Sequence, residues 1–456
     1  MNNATIRPNF LEGPIAKQLL GLAWPVLVVL ALQTIVAVAE TWFVSFLGTD
    51  ALAGVALVFP VFMLMTMMSN GAIGGGVSSA IARALGAGRR GDALSLAWHA
   101  VVLGAAFGAL FTLGVLLGGP ALFRAMGARG DTLSAALLYA NLVFFSAIPG
   151  WIANLLAAAL RGAGNVRVPA IVTAAGSFST LALSPLFIFG WGPVPSMGVA
   201  GAGVAMIVFN VGSAAALALY MRSKRSPLRL APQPLKRQLF ADVLKVGLLS
   251  AVGTVMANLS VVVTTGLVGA NGRDAIAGYG LASRLDYLLI PLLFALGTAS
   301  VTMVGMNIGA GKHERARQIA WTGALVSALA TGVIGFLAAL FPQAWLHLFS
   351  REPEVVAAGA AYLSRVAPFF IFFGAGMSIY FSSQGAGRMA WPFAAGLTRL
   401  LIVCVIGAAA ATLNGLFWIA GLSYLAFGAI NLFALASGYG WGLRALPAKV
   451  RPQEPY

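Results

Sequence analysis

"LGAGRRGDALSLAW" (residues 85–98) and "IGAGKHERARQIAW" (residues 308–321) are two copies of one segment, with Gly, Ala, Gly, Ala, Ala and Trp coinciding at an offset of 223 residues. "RGAGNVRVP" (161–169) returns at the same offset as "QGAGRMAWP" (384–392), and "ALAGVAL" (51–57) returns 224 residues later as "AIAGYGL" (275–281). Three matches in one order mean that the chain consists of two repeats.

What is repeated follows from composition. Of 456 residues, 60% are hydrophobic and 9% charged, and mean hydropathy is +0.91. A soluble fold cannot cover that much apolar surface, so the chain is an all-α polytopic membrane protein. Apolar runs separated by Gly, Pro and charge predict twelve transmembrane helices, near 15–47, 51–82, 93–118, 133–160, 166–189, 198–221, 239–268, 275–307, 316–340, 355–383, 391–412 and 416–442. The run from Leu19 to Ala39 is too long for a signal peptide and reads as a retained first span.

Lys and Arg number 28 against 12 Asp and Glu, and the basic residues crowd into alternate loops. With both termini cytoplasmic, the inner segments hold 21 of them and the outer loops four: Arg124, Arg129, Arg273 and Arg351. That is the positive-inside pattern of a multi-pass protein of the cell (inner) membrane, and it argues against nucleic acid as a partner. Arg284, Arg365 and Arg399 fall inside spans, and the last two are expected to snorkel or bond to carbonyls. The stretch "RSKRSPLRLAPQPLKR" (222–237) has six basic residues, three prolines and no acid, and reads as an extended cytoplasmic linker.

The resulting division is an N-terminal lobe (1–221), a linker (222–238), a C-terminal lobe (239–443) and a cytoplasmic tail (444–456). Six spans per repeat give both lobes one orientation. They are therefore expected to be pseudo-twofold related about the membrane normal, around a central cavity. The glycines of "GAIGGGVSSAIARALGAG" lack the Lys-Ser/Thr pair and preceding strand of a phosphate loop, and are read as small residues for close helix packing. Cys404 reads as a core residue. His99, His313 and His347 are too scattered for a metal site, and each is read as a helix-end or loop residue.

Two acids, Glu40 and Asp286, lie deep within predicted spans, and intramembrane acids mark pathways or counter-ions. Glu40 shares a helix face with Gln33, two turns earlier, and lies roughly 12 Å from the outer surface at 1.5 Å per residue. Asp286 shares a face with Tyr279 and Ser283, whereas Arg284, two residues away, points with Tyr287 to another side. Arg284 comes to a depth of about 14 Å, similar to that of Glu40, so an attraction between them across the cavity is one expectation. A static ion network of Glu40, Arg284 and Asp286 is the structural alternative. A lone carboxylate in an apolar site favours its neutral form, which suits a carrier that loads and unloads protons.

Together "ETWFVSFLG", "ALAGVAL", "GAGRRGDA", "RGAGNVRVP", "SPLFIFGWGPVPSMGVAGAGVA" and their second-half copies resemble the multidrug and toxic compound extrusion (MATE) family, from about Leu11 to Leu443. The absence of a carboxylate deep in span seven, where the sole acid is Asp242 at its start, is more similar to the DinF-like branch than to the NorM-like one. The resemblance implies two lobes that rock to export organic cations against proton or sodium flow. It also implies an N-lobe proton or cation site, with the family's span-one acid falling on Glu40, the preceding Gln on Gln33 and a span-four Tyr on Tyr139. Asn154 lies on the same helix as Tyr139. Where the family commonly reads Asn-x-x-x-Asp-Pro in span five, this chain has Thr180, then Ser184 before Pro185. One carboxylate among hydroxyls makes a poor sodium cage, so protons are the expected coupling ion.

The expectation is therefore a secondary antiporter of amphipathic, mostly cationic organic compounds or drugs. It would act as a monomer in the lipid bilayer, driven by the proton gradient without a cofactor. Glu40, Arg284, Asp286, Tyr279 and Tyr287 are the expected substrate-cavity residues. A sodium-coupled exporter is one alternative; a lipid-linked precursor flippase, needing several cavity cations, is another. A membrane-embedded enzyme would need a nucleophile with a base, or a metal set, and a channel would need filter or charge rings; neither pattern is visible.

Overall fold

The computed structural model describes residues 10–441. Arg7, Arg444, Lys449, Arg451 and the expected tail lie outside the described residues. The first repeat forms α1 (Ile15–Ser45), α2 (Thr49–Met67), α3 (Gly74–Gly86), α4 (Arg90–Ala125), α5 (Gly130–Phe145), α6 (Ala147–Gly162), α7 (Arg167–Phe189) and α8 (Val199–Arg222). The second forms α9 (Arg237–Gly269), α10 (Arg273–Gly309), α11 (His313–Leu340), α12 (Pro342–Leu346), α13 (Pro353–Val366), α14 (Phe370–Ala386), α15 (Ala390–Leu401) and α16 (Leu413–Ala436). A π-helical stretch, Met68–Ile73, joins α2 to α3, and a 3-10 turn, Ala367–Phe369, joins α13 to α14. Eleven helical segments are long and apolar enough to cross a membrane, and α5 with α6, counted as one bent span, makes twelve.

The repeat signature works through its glycines. Gly88 and its copy Gly311 both have φ +72°, a left-handed conformation that side chains with a Cβ rarely adopt. Each ends its helix with the same pair of bonds: Gly88 N to Leu85 O and Arg89 N to Ala84 O, then Gly311 N to Ile308 O and Lys312 N to Asn307 O. This is the Schellman geometry that satisfies carbonyls left over at a helix end.

The same glycines let the repeats approach one another. A Cβ on Gly86 would lie 2.0 Å from Met306 O, and one on Gly309 would lie 2.1 Å from Arg83 O. Gly309 and Met306 are the copies of Gly86 and Arg83, so this α3 to α10 contact is symmetric under exchange of the halves, as a pseudo-twofold axis requires. Around it Arg83 Nη2 pairs with Asp242 at 2.7 Å, Ser79 Oγ donates to Gln384 O at 2.5 Å, and Thr302 Oγ1 donates to Arg161 O at 2.9 Å. The two halves are thus fastened together at the end carrying the GAG turns and the basic loops.

Span four differs from the single helix expected over 133–160. It bends by 46° between α5 and α6, because Pro149 lacks the N–H that would continue the ladder. Side chains of neighbouring helices bond at the bend: Thr112 Oγ1 donates to Phe144 O at 2.6 Å, and Asn210 Nδ2 donates to Ser146 Oγ at 2.8 Å. At Pro368 in the second half, Thr331 Oγ1 donates to Phe370 O at 2.8 Å.

Helix α1 touches both repeats. Leu19, Leu22 and Ala23 are buried with Ala295, Ala299 and Ile319 of the second half, whereas Val44 packs with Ala51 and Ile188 of the first. The segment between α8 and α9 is extended, as its prolines predict, but it is pinned to the protein. Leu228 is fully buried in the first half's core. His99, read as a helix-end or loop residue, is instead buried inside α4 and faces this segment. Its Nδ1 lies 2.8 Å from Ser95 O, its Nε2 accepts from Lys236 N at 2.9 Å, and its ring meets that of Phe240.

Candidate cation and substrate sites

In the first half, α1 packs along α7 and both run away from the GAG end. Val44 of α1 and Ile188 of α7 share one buried cluster, to which Tyr139 of α5 adds its ring. One turn back along each helix stand Glu40 and Ser184, which brings the acid and the hydroxyl to one level. Glu40 Oε1 and Ser184 Oγ are both buried and neither makes a hydrogen bond. Tyr139 lies within electrostatic reach of Glu40. Thr180, one turn further back, spends its hydroxyl on Gly176 O at 3.0 Å.

Two expected members of this group lie elsewhere. Gln33 is exposed on α1. Asn154 belongs to α6, beyond the bend, and donates to Ser69 Oγ in the π-helical stretch at 2.8 Å. A π-turn leaves backbone groups without regular partners, and Asn154 braces that irregular segment.

In the second half Asp286 sits in an aromatic enclosure. Tyr362 and Tyr424 both donate to its Oδ2, at 2.5 and 3.2 Å, while Oδ1 is buried without a partner. The ring of Tyr279, on the same helix, packs edge-on against that of Tyr362. Arg399 holds its guanidinium 4.7 Å from the Tyr424 ring centre and 5.6 Å from that of Phe373, within electrostatic reach of Asp286. A cation over a ring face is attracted by the ring quadrupole. Arg399, expected to snorkel or bond to a carbonyl, therefore belongs to the acid's surroundings; Arg365 bonds to Ala361 O at 3.0 Å, in line with expectation.

Arg284 and Tyr287 are exposed, and Arg284 lies over the Phe349 ring at 5.3 Å. Among the described residues no ion pair joins Arg284 to Glu40 or to Asp286, so the expected attraction and the alternative three-residue network are not formed. Sequence reasoning missed Tyr362 and Tyr424 around Asp286, and considered Arg399 as a cavity cation only for the flippase alternative. Its usable signal was an intramembrane cation and an intramembrane acid in one repeat. It also missed Arg161, one of the 21 basic residues counted in the inner segments, which lines the cleft between the halves with Asn70, Ser78 and Phe294.

Two six-span repeats about a pseudo-twofold axis, fastened at one end, with an acid set into each half and a cleft between them, define a membrane transporter of the repeat-built kind. A sequence model of the MatE family matches residues 25–186 and 250–409, and the chain belongs to that family. The chain is 27% identical over 375 residues to a probable multidrug resistance protein NorM of Thermotoga maritima, covering 82% of this chain and 81% of that one. It is 27% identical over 364 residues to an FAD transporter of Shewanella oneidensis, covering 77% and 78%. Its fold matches a crystal structure of MATE in the bent conformation with a TM-score of 0.87 at 24% identity, covering 96% and 98%.

Proposed function

We propose that the protein is a proton-coupled antiporter of the DinF-like branch, exporting amphipathic, mostly cationic organic compounds by alternating access of its two halves. The observation that carries this reading is the Glu40 carboxylate, buried in part, with one oxygen free of any hydrogen bond and the equally unbonded Ser184 hydroxyl at its level. A carboxylate held this way exchanges a proton at little structural cost, because no protein bond is broken when it is neutralised. Sodium needs several oxygens in one shell. Here Thr180 is committed to Gly176 and Asn154 to Ser69, which leaves too few. The names of relatives, a multidrug resistance protein among them, are in keeping with an exporter of organic compounds.

In this reading the basic end is cytoplasmic, the protein is a monomer of the inner membrane, and the arrangement described here is closed toward the cytoplasm. Glu40 carries the proton, Tyr139, Thr180 and Ser184 line its site, and Asp286 with its tyrosines serves the second half. Proteoliposomes with separately imposed proton and sodium gradients test it. Export of a cationic dye should follow the proton gradient and ignore sodium, and Glu40→Gln should abolish it in a protein that remains monodisperse. Full export by Glu40→Gln would refute the carrier role.

A further inference from the structure

Arg161 occupies the last turn of α6 and lines the cleft between the halves, together with Asn70, Ser78, Phe294, Thr298 and Phe381. Among the described residues no hydrogen bond, ion pair or ring contact engages its guanidinium, and no carboxylate belongs to the cleft lining. The Asn70 amide and Ser78 hydroxyl are likewise without partners there. The C-terminal dipole of α6 offers only about half an elementary charge in compensation. An arginine cannot shed its proton, so the site keeps a cation and two unpartnered polar side chains beside a cleft walled by Phe294 and Phe381, whose rings meet edge to face at 5.9 Å; Gln384 also lines it, with Nε2 committed to Gly71 O and Ser250 Oγ and Oε1 without a partner.

The position is held from both halves. Thr302 of α10 bonds the Arg161 carbonyl, and a Cβ on the neighbouring Gly162 would lie 2.5 Å from Ser78 O. The uncommitted donors come from the first half and the aromatic walls from the second, so a bound molecule touches both. We propose that this cleft, narrow in the arrangement closed at the basic end and widening as the halves part, binds the anionic group of an amphipathic aromatic compound, a carboxylate, sulfonate or phosphate, with Arg161 as the bidentate anchor, Asn70 and Ser78 as further donors and the two phenylalanines against the ring system. The proposal rests on the transporter reading and extends its substrates beyond purely cationic compounds to those that carry an anionic group. Compounds bearing both charges would engage an acid and Arg161 together.

Riboflavin 5′-phosphate and riboflavin are a suitable pair of probes, since both fluoresce and they differ by one phosphate. Binding is measured to the full chain in nanodiscs of neutral phosphatidylcholine. A charge-assisted bidentate contact predicts a preference of about 10- to 100-fold for the phosphate. Arg161→Gln should remove that preference while riboflavin binding is kept, and Asn70→Ala, which leaves the charge in place, should reduce it. Equal or absent binding of the two flavins by the wild type, or a preference that survives Arg161→Gln, would overturn the proposal. Adding phosphatidic acid to the disc separates the two sources of anion: competition that depends on Arg161 marks a lipid headgroup, and undiminished binding marks a soluble compound, either of which supports the site. Dye export under a proton gradient is read separately, so failed antiport with an intact phosphate preference would sink the transport mechanism and leave the anion site standing.

Discussion

Gly86 and Met306 meet so closely across the two halves that a methyl group on the glycine would fall 2.0 Å from the methionine carbonyl oxygen. The obstacle is backbone, which cannot swing aside as a side chain can. Gly86→Ala should therefore disfavour the arrangement closed at the basic end and shift the population toward one open there. Ser79, fully buried between the halves, reports on this: in a Cys404→Ser background, a cysteine substituted for Ser79 should react with a maleimide from the basic side faster when Gly86→Ala is present. Unchanged labelling would mean that the α3 to α10 contact does not gate access. Gly309→Ala, the symmetric change against Arg83 O, should behave alike.

His99 links a helix interior to the segment between the halves. Nδ1 donates to the Ser95 carbonyl, which leaves Nε2 as the acceptor for the Lys236 N–H. His99→Leu would remove the acceptor of that half-buried N–H beside the Phe240 ring, at a cost of about 1 kcal/mol for the lost bond. The apparent unfolding temperature should fall, and limited proteolysis between α8 and α9 should accelerate. His99→Gln, which keeps an acceptor, should do less of both; equal effects would assign the role to ring packing alone.

What the sequence disclosed, and what it hid, divides along a physical line. The two-repeat architecture was legible because it depends on backbone geometry that few residues tolerate: Gly88 and Gly311 keep a left-handed φ, and Gly86 and Gly309 keep the halves in contact. Glu40 stood out as a candidate because a charge in an apolar span costs too much to be incidental. The bend in span four was not legible, since Pro149 alone does not distinguish a kink from a break until the bonds of Thr112 and Asn210 at the bend are seen. Arg161 and Arg399 were misplaced for a related reason. A long side chain at a span end or interior can turn to water or to the protein interior, and only neighbours from other helices decide which.

Asp286 separates structural from transport roles in the second half. Its Oδ2 accepts from Tyr362 and Tyr424, so Asp286→Leu leaves two enclosed hydroxyls without an acceptor, each costing about 1–3 kcal/mol. Asp286→Asn retains an acceptor of the same shape and should fold, with export reduced less than by Glu40→Gln if the coupling proton is carried in the first half. Complete loss of export in Asp286→Asn alongside an active Glu40→Gln would place the carrier in the second half.

Ser184→Asp tests the coupling argument at its origin. Ser184 is fully buried with its hydroxyl unbonded, one turn below the Val44 and Ile188 contact that sets α7 against α1, so an aspartate there places a second carboxylate at the level of Glu40. Two acids in one dry site cannot both ionise cheaply; the pair either shares a proton or recruits a cation. The wild type should be driven by protons and indifferent to sodium, whereas the variant should move its export optimum to higher pH and respond to sodium. Transport measured in proteoliposomes across a pH series, with sodium or choline as the counter-cation, reads both effects at once. If wild-type export instead stops without sodium and survives collapse of the proton gradient, the two unbonded oxygens of Glu40 and Ser184 are ligands of a metal cation, and the hydroxyl that replaces the family's second acid is a coordinating group in its own right.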